Sequence, residues 1–136
     1  MATRSNIGIL NQDGTVDYIY CHFDGYLEHN GQILQEHYNN ENRVKQLLSL
    51  GDLSVLGKNI GEKQSFENRV KDSCLAYGRD RGETGGEARK CSYVDYTKEY
   101  FEEYIYLFTP GKGWQVRENG INYWADMSEA LKHNII

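Results

Sequence analysis

The run Tyr77-Gly78-Arg79-Asp80-Arg81-Gly82-Glu83 places two guanidinium groups two residues apart, between glycines. Arginine presents five N–H donors in a planar fork that matches the oxygens of a phosphate or carboxylate. If the run is extended, Arg79 and Arg81 project from one face. Tyr77 shares that face and offers a ring for a base or sugar, Asp80 points away, and Glu83 follows at the turn. Gly78 and Gly82 would let a ligand approach the backbone. The chemistry implied is the gripping of an anion. The competing reading is a solvated hairpin whose arginines pair with surface carboxylates, an arrangement that contributes only about 0–1 kcal/mol per pair.

A second run, Tyr20-Cys21-His22-Phe23-Asp24-Gly25-Tyr26, gathers a thiol, an imidazole and a carboxylate within four residues. Neighbours in a strand point to opposite faces, so Cys21 and His22 cannot share a metal locally. A nucleophilic Cys21 would need His29, His37 or His133 brought in from elsewhere. Cys21 therefore reads as a small buried hydrophobe. His22, Phe23, Asp24 and Tyr26, at a strand end, are expected to form the rim of a ligand pocket. Residues 61–68 carry Lys63, Gln64 and Ser65 and read as a surface loop, with a mobile lid as the alternative. There is no P-loop, dinucleotide fingerprint, zinc spacing or Gly-x-Ser-x-Gly motif. Glu102-Glu103 reads as a solvated helix edge. No catalytic residue, metal ligand or cofactor is nominated, and the expectation is a protein that binds rather than catalyses.

Local signals place these runs on elements. Residues 5–11 and 15–23 are β-rich and flank Asp13-Gly14, a hairpin signal. In the second strand Val16, Tyr18, Tyr20 and His22 face one way, and Asp17, Ile19, Cys21 and Phe23 the other, which predicts a central strand covered on both sides. Helical spacing follows over 31–38 and again after Asn40, a plausible N-cap, up to a glycine stop at Gly51. Residues 52–73 read as a long, weakly patterned connection. The run 74–79 is then expected to pair as a hairpin with 87–93. A helix is predicted over 97–104, strands over 104–109 and 114–119, and a turn at Asn119-Gly120 leading into 121–124. Asp126 and Glu129 form a capping box for a last helix over 127–134. Hairpins with helices between them predict an α+β fold in a single domain, an antiparallel or mixed sheet with short helices packed on it.

Composition excludes whole classes. The 136 residues carry a net charge of −5, which argues against nonspecific nucleic-acid binding, since that requires a basic stripe. No stretch approaches the ~20 apolar residues of a membrane span, and the first residues lack the apolar core of a signal peptide. Cys21, Cys74 and Cys91 are an odd number without regular spacing, so reduced thiols in a cytoplasm are expected. The eleven tyrosines suit half-exposed strands and also interfaces, and an oligomer is expected.

Several segments together resemble a family of small proteins found in tailed bacteriophages and prophages. They are "MATRSNIGI", "DGTVDYIYCHFDGYLEHNGQILQEHY", "LGDLSVLG", "GEKQSF", "YGRDRGE" and "YIYLF" followed by "GKGWQV". The resemblance runs from residue 1 to about residue 117, and its most specific parts are Y-C-H-[FW]-D-G-Y and Y-G-R-D-R-G-E. Many relatives carry tryptophan where Phe23 stands. It implies an accessory protein acting in the host cytoplasm, and proteins of that kind often counter host defences. Joined to the residue chemistry, the expectation is binding of a phosphorylated small molecule such as a nucleotide immune signal. Arg79 and Arg81 would sit on phosphates, Tyr77 or Phe23 on a base, and His22 and Asp24 at the rim. The alternatives are a protein-binding inhibitor of a host defence complex, of anti-CRISPR or anti-restriction type, and a metal-dependent nucleotide hydrolase.

Overall fold

The computed structural model describes residues 2–98 and 103–133. Among these, eight strands form one mixed sheet: β1 (Ser5–Leu10), β2 (Thr15–Cys21), β3 (Leu53–Val55), β4 (Leu75–Ala76), β5 (Arg89–Ser92), β6 (Tyr104–Thr109), β7 (Gly113–Glu118) and β8 (Ala125–Asp126). The helices are α1 (Gln32–His37), α2 (Glu41–Leu48), α3 (Tyr77–Arg81), α4 (Tyr93–Lys98) and α5 (Met127–His133). A π-helical turn at Leu27–Gly31 leads into α1. Across the sheet the order is β4-β3-β2-β1-β6-β7-β8, with β5 also paired to β2. The architecture is α+β, as the element order predicts. No helix among the described residues is long and apolar enough to cross a membrane.

The sheet starts from the predicted hairpin. Asp13 closes its turn by accepting from the Thr15 amide at 3.0 Å and from its hydroxyl at 2.6 Å, and Gly14 takes φ 86°. β1 and β2 then pair in register, with Ile7 opposite Ile19, and β1 runs parallel to β6 on its other edge. The strand β2 is central and covered on both faces. Ile19 and Cys21 join Ile7, Ile9, Tyr106, Phe108 and Trp114 in a core roofed by residues of α1, α2 and α5. Val16 joins Ile105, Leu107 and Tyr96 in a smaller core under α4. Two caps read from sequence are present: the Arg43 amide donates to Asn40 Oδ1 at 2.9 Å, and the Glu129 amide to Asp126 Oδ2 at 3.2 Å.

Other expectations are corrected. Residues 74–79 and 87–93 do not form a hairpin with each other. β4 is two residues long and pairs with β3, whereas β5 crosses to β2, with Arg89 opposite Tyr18. The connection over 52–73 is not patternless, because β3 within it is wholly buried. The helix expected at 97–104 lies earlier, at α4. Residues 99–102 fall outside the described residues, and Tyr104 already belongs to β6. The last strand is Ala125–Asp126, one step beyond 121–124.

The chain beyond β3 depends on one close approach. A Cβ at Gly57 would lie 2.6 Å from both Asp72 O and Ser73 C. No side chain fits there without moving backbone. Gly57→Ala is expected to cost about 1–3 kcal/mol, as overpacking typically does. Urea denaturation should show a lower midpoint with an unchanged slope.

Candidate functional site

The Tyr77–Glu83 run is a single helical turn, α3, ended by Gly82 in the left-handed conformation at φ 72°. Arg79 and Arg81 therefore do not project together from a strand face. Arg79 turns inward. Its Nε and Nη2 hold the two Asp80 oxygens at 2.9 and 3.1 Å. Nη2 also reaches Cys74 O at 2.9 Å, and Nη1 reaches Ile60 O at 2.9 Å and Gly61 O at 3.1 Å. All five N–H donors of a guanidinium find acceptors in that set. Arg79 has no fork left for a phosphate, which corrects the expected role.

Asp80 completes the anchor. Its side chain is 0% exposed, against 18% for Arg79. Its oxygens also accept from the Ala76 amide at 2.8 Å and the Gln64 amide at 3.0 Å. Burial, the largest single influence on this carboxyl, pushes its pKa up. Hydrogen bonds from Arg79, Ala76 and Gln64 outweigh it, so the pKa is held below the usual carboxylate value. The pair binds residues 60–64 and 74–76 to α3. Gln64 adds its own bonds to Cys74 O and the Val70 amide, so residues 61–68 are tied down rather than free to swing as a lid.

Arg81 lies outside. It pairs with Glu83 and sits over the rings of Phe66 and Tyr77 at 4.5 and 5.0 Å, and those rings stack at 5.8 Å. Tyr77 is thus engaged by a neighbour of the chain itself. Of the two arginines expected beside Tyr77 only Arg81 meets its ring, while Arg79 is turned inward.

The Tyr20–Tyr26 run ends β2 and turns sharply. Tyr20 Oη and His22 Nδ1 are 2.6 Å apart, and Phe23 meets the His22 ring edge-on at 4.5 Å. Asp24 takes φ 58°, and the next residue must be glycine, because a Cβ at Gly25 would lie 2.8 Å from Thr3 O. Phe23 and Tyr26 remain exposed, at 41% and 37%. Tyr26 packs on the His29 ring at 6.1 Å, and His29 Nδ1 lies 2.9 Å from Oδ1 of the buried Asn30. Asn30 in turn donates toward Ser5 Oγ at 3.3 Å and Cys21 Sγ at 3.4 Å.

His29 leads to a site that the motifs did not name. A pocket of about 340 Å³ opens between α1 and the chain after β3. His29, His37, Lys58, Arg69 and Lys71 contribute basic groups to its lining, and Ile33, Val55 and Leu56 an apolar side. Its volume is that of a small-ligand site. One carboxylate, Asp72, lines it, 3.7 Å from Lys58 Nζ and on a backbone at φ 64°. Among the described residues Arg69 and Lys71 make no ion pair. Arg43 ties the end of α1 to this chain by donating to His37 O at 3.3 Å and Lys58 O at 2.9 Å, and the Tyr38 hydroxyl holds Gly57 O at 2.7 Å. A signal for this site existed: residues 58–71 hold four of the fifteen basic side chains, as many as 75–90.

The basic groups of the pocket can neutralise an anion. Burial pushes the Cys21 thiol to about 12 and raises Cys74 as well, so both stay protonated. Among the described residues no three His, Cys, Asp or Glu side chains come together to hold a metal ion. No protein-family model, curated protein or solved structure matches the chain.

The Asp80 anchor has a pH signature. A carboxyl whose folded pKa is depressed contributes stability that is full above its unfolded value, near 3.9, and is lost as pH falls through the folded value. Asp80→Asn leaves the buried guanidinium uncompensated and is expected to cost about 3–5 kcal/mol at pH 7. The gap between variant and native melting temperatures should narrow progressively as pH drops below about 4. A gap that stays constant down to pH 2 would contradict this account of the pair.

Proposed function

We propose that this protein binds a phosphorylated small molecule, of the nucleotide-signal type, in the pocket between α1 and residues 55–73. One observation carries the proposal: in a chain of net charge −5, five basic side chains line one pocket, and among the described residues two of them, Arg69 and Lys71, are full cations that make no ion pair. Arg69 and Lys71 are exposed, and a cleft lined by cations of one sign attracts an anion to it. The phosphate would lie against Lys58, Arg69 and Lys71, with His29 and His37 beside it. The apolar wall of Ile33, Val55 and Leu56 would take the organic part, with Tyr26 beside His29 at the rim. Asp24, Phe23 and His22 belong to the turn that carries Tyr26. The phage resemblance gives this binding a purpose, removal of a messenger made by host defence, and the role is one of capture rather than turnover.

A thermal-shift series tests it, using inorganic phosphate, nucleoside monophosphates, cyclic mononucleotides and cyclic dinucleotides, each with and without magnesium. A ligand present at a hundred times its Kd adds about 2.7 kcal/mol and should raise the melting temperature by several degrees. That rise should vanish in the Arg69→Ala/Lys71→Ala double variant and persist in Arg81→Ala. A flat series, or a rise undiminished in the double variant, would remove the reading.

A further inference from the structure

His29 lines the cationic pocket and is fastened by its ring to the core: Nδ1 lies 2.9 Å from Oδ1 of Asn30, which is 0% exposed. Phe23 O settles the orientation of that amide, since it stands 3.5 Å from Asn30 Nδ2 and a carbonyl can only accept. Nδ2 also donates to Ser5 Oγ and Cys21 Sγ. Asn30 therefore shows His29 an oxygen, and Nδ1 must carry a hydrogen. In the neutral ring Nε2, on the far side from Asn30, then bears a lone pair. A second proton can enter at Nε2 without breaking the bond to Asn30.

Among the described residues Lys58, Arg69 and Lys71 line the pocket as permanent cations and Asp72 as a carboxylate, so two net positive charges face a ligand while the imidazoles are neutral. His37, on α1, lies 3.8 Å from Glu36 and has a carboxylate of its own. On the π-helical turn Tyr26 offers His29 its ring, and the charge of Glu28 acts on Tyr104. Asp24 meets that turn through its backbone, its carbonyl accepting from the Asn30 amide at 3.2 Å. On α5, which packs on the turn, Lys132 and Glu129 pair at 3.8 Å. Among the described residues no carboxylate pairs with His29. Its counter-charge has to come from the ligand.

Given the phosphorylated ligand proposed above, on which this rests, we infer that His29 selects a terminal phosphate monoester over a phosphodiester. One proton is shared between Nε2 and the phosphate, because a lone pair facing an anionic oxygen repels it unless a proton lies between them. A monoester sheds its second proton at about pH 6, in the range where imidazole titrates, so it can bring or accept that proton. Its charge, close to two near neutrality, also matches the pocket. A diester carries one charge and no proton to bring, and it leaves one cation unanswered. The ligand class narrows to a nucleotide with a free phosphate end.

The experiment is isothermal titration calorimetry with AMP and with cyclic AMP, which share base and sugar and differ in whether the phosphate is closed into a diester. Each titration is run near neutral pH in two buffers of different ionisation enthalpy, which counts the protons taken up on binding. AMP should bind at least about tenfold more tightly than cyclic AMP, the effect of one added charge-assisted hydrogen bond, and with net proton uptake. His29→Gln keeps an N–H donor but cannot titrate, and should abolish the uptake and most of the preference. The native titrations decide the matter even where that variant does not fold. Equal affinities for the two nucleotides, both lost in Arg69→Ala/Lys71→Ala, overturn the inference and leave the anion pocket standing. Proton uptake that persists in folded His29→Gln overturns it too. Binding of neither nucleotide removes the phosphate reading of the pocket and this inference with it.

Discussion

A backbone polar group withheld from water needs a partner, and the chain between β3 and β4 has almost no ladder to supply one. Beyond Val55 its only pairing among the described residues is a lone bridge between Asn59 and Ser73. Side chains fill the deficit. Arg79 takes the carbonyls of Ile60, Gly61 and Cys74, Arg43 that of Lys58, and Tyr38 that of Gly57. Asp80 serves the Gln64 amide from the other side. The position of every pocket residue after Val55 depends on those bonds. So does the course of the chain into β4 and α3.

That dependence sorts the basic residues by role. Arg43 and Arg79 are consumed by backbone oxygens and a buried carboxylate, and Arg89 by a fork onto Asp52 at 3.0 and 2.7 Å. These three hold the protein together. Among the described residues Arg69 and Lys71 make no ion pair, which sets them apart from these three. The charge of a guanidinium says little about function until its donors are accounted for, and here that accounting moves the candidate site from α3 to the pocket beside α1.

The features legible in the sequence were those set by neighbours. Asp13-Gly14, Asn40 and Asp126 act within four residues, and each makes the turn or cap its chemistry dictates. The two-faced pattern of β2 also survives, since strand alternation needs no knowledge of the partner. Arg79 and Arg81 misled because Arg-x-Arg fits one strand face and also one helical turn. Gly82, a left-handed stop after the run, was the cue that favoured the turn. The pairing of β5 with β2 was out of reach, as the partners are more than seventy residues apart and carry no local mark. The cationic pocket drew on three separate segments, so its composition was visible while its convergence was not.

A segment fastened by side chains rather than by a ladder opens differently from the sheet beside it. Loops with few backbone bonds of their own tend to unfold as one cooperative unit, at a free energy below that of the global transition. Release of Arg79 and Asp80 together would free residues 57–74 while β1, β2, β6 and β7 stay paired. Amide exchange in that loop would then run ahead of exchange in the central strands, and an occupied pocket would slow it. Such a protein loses the shape of its cationic pocket before it loses its fold.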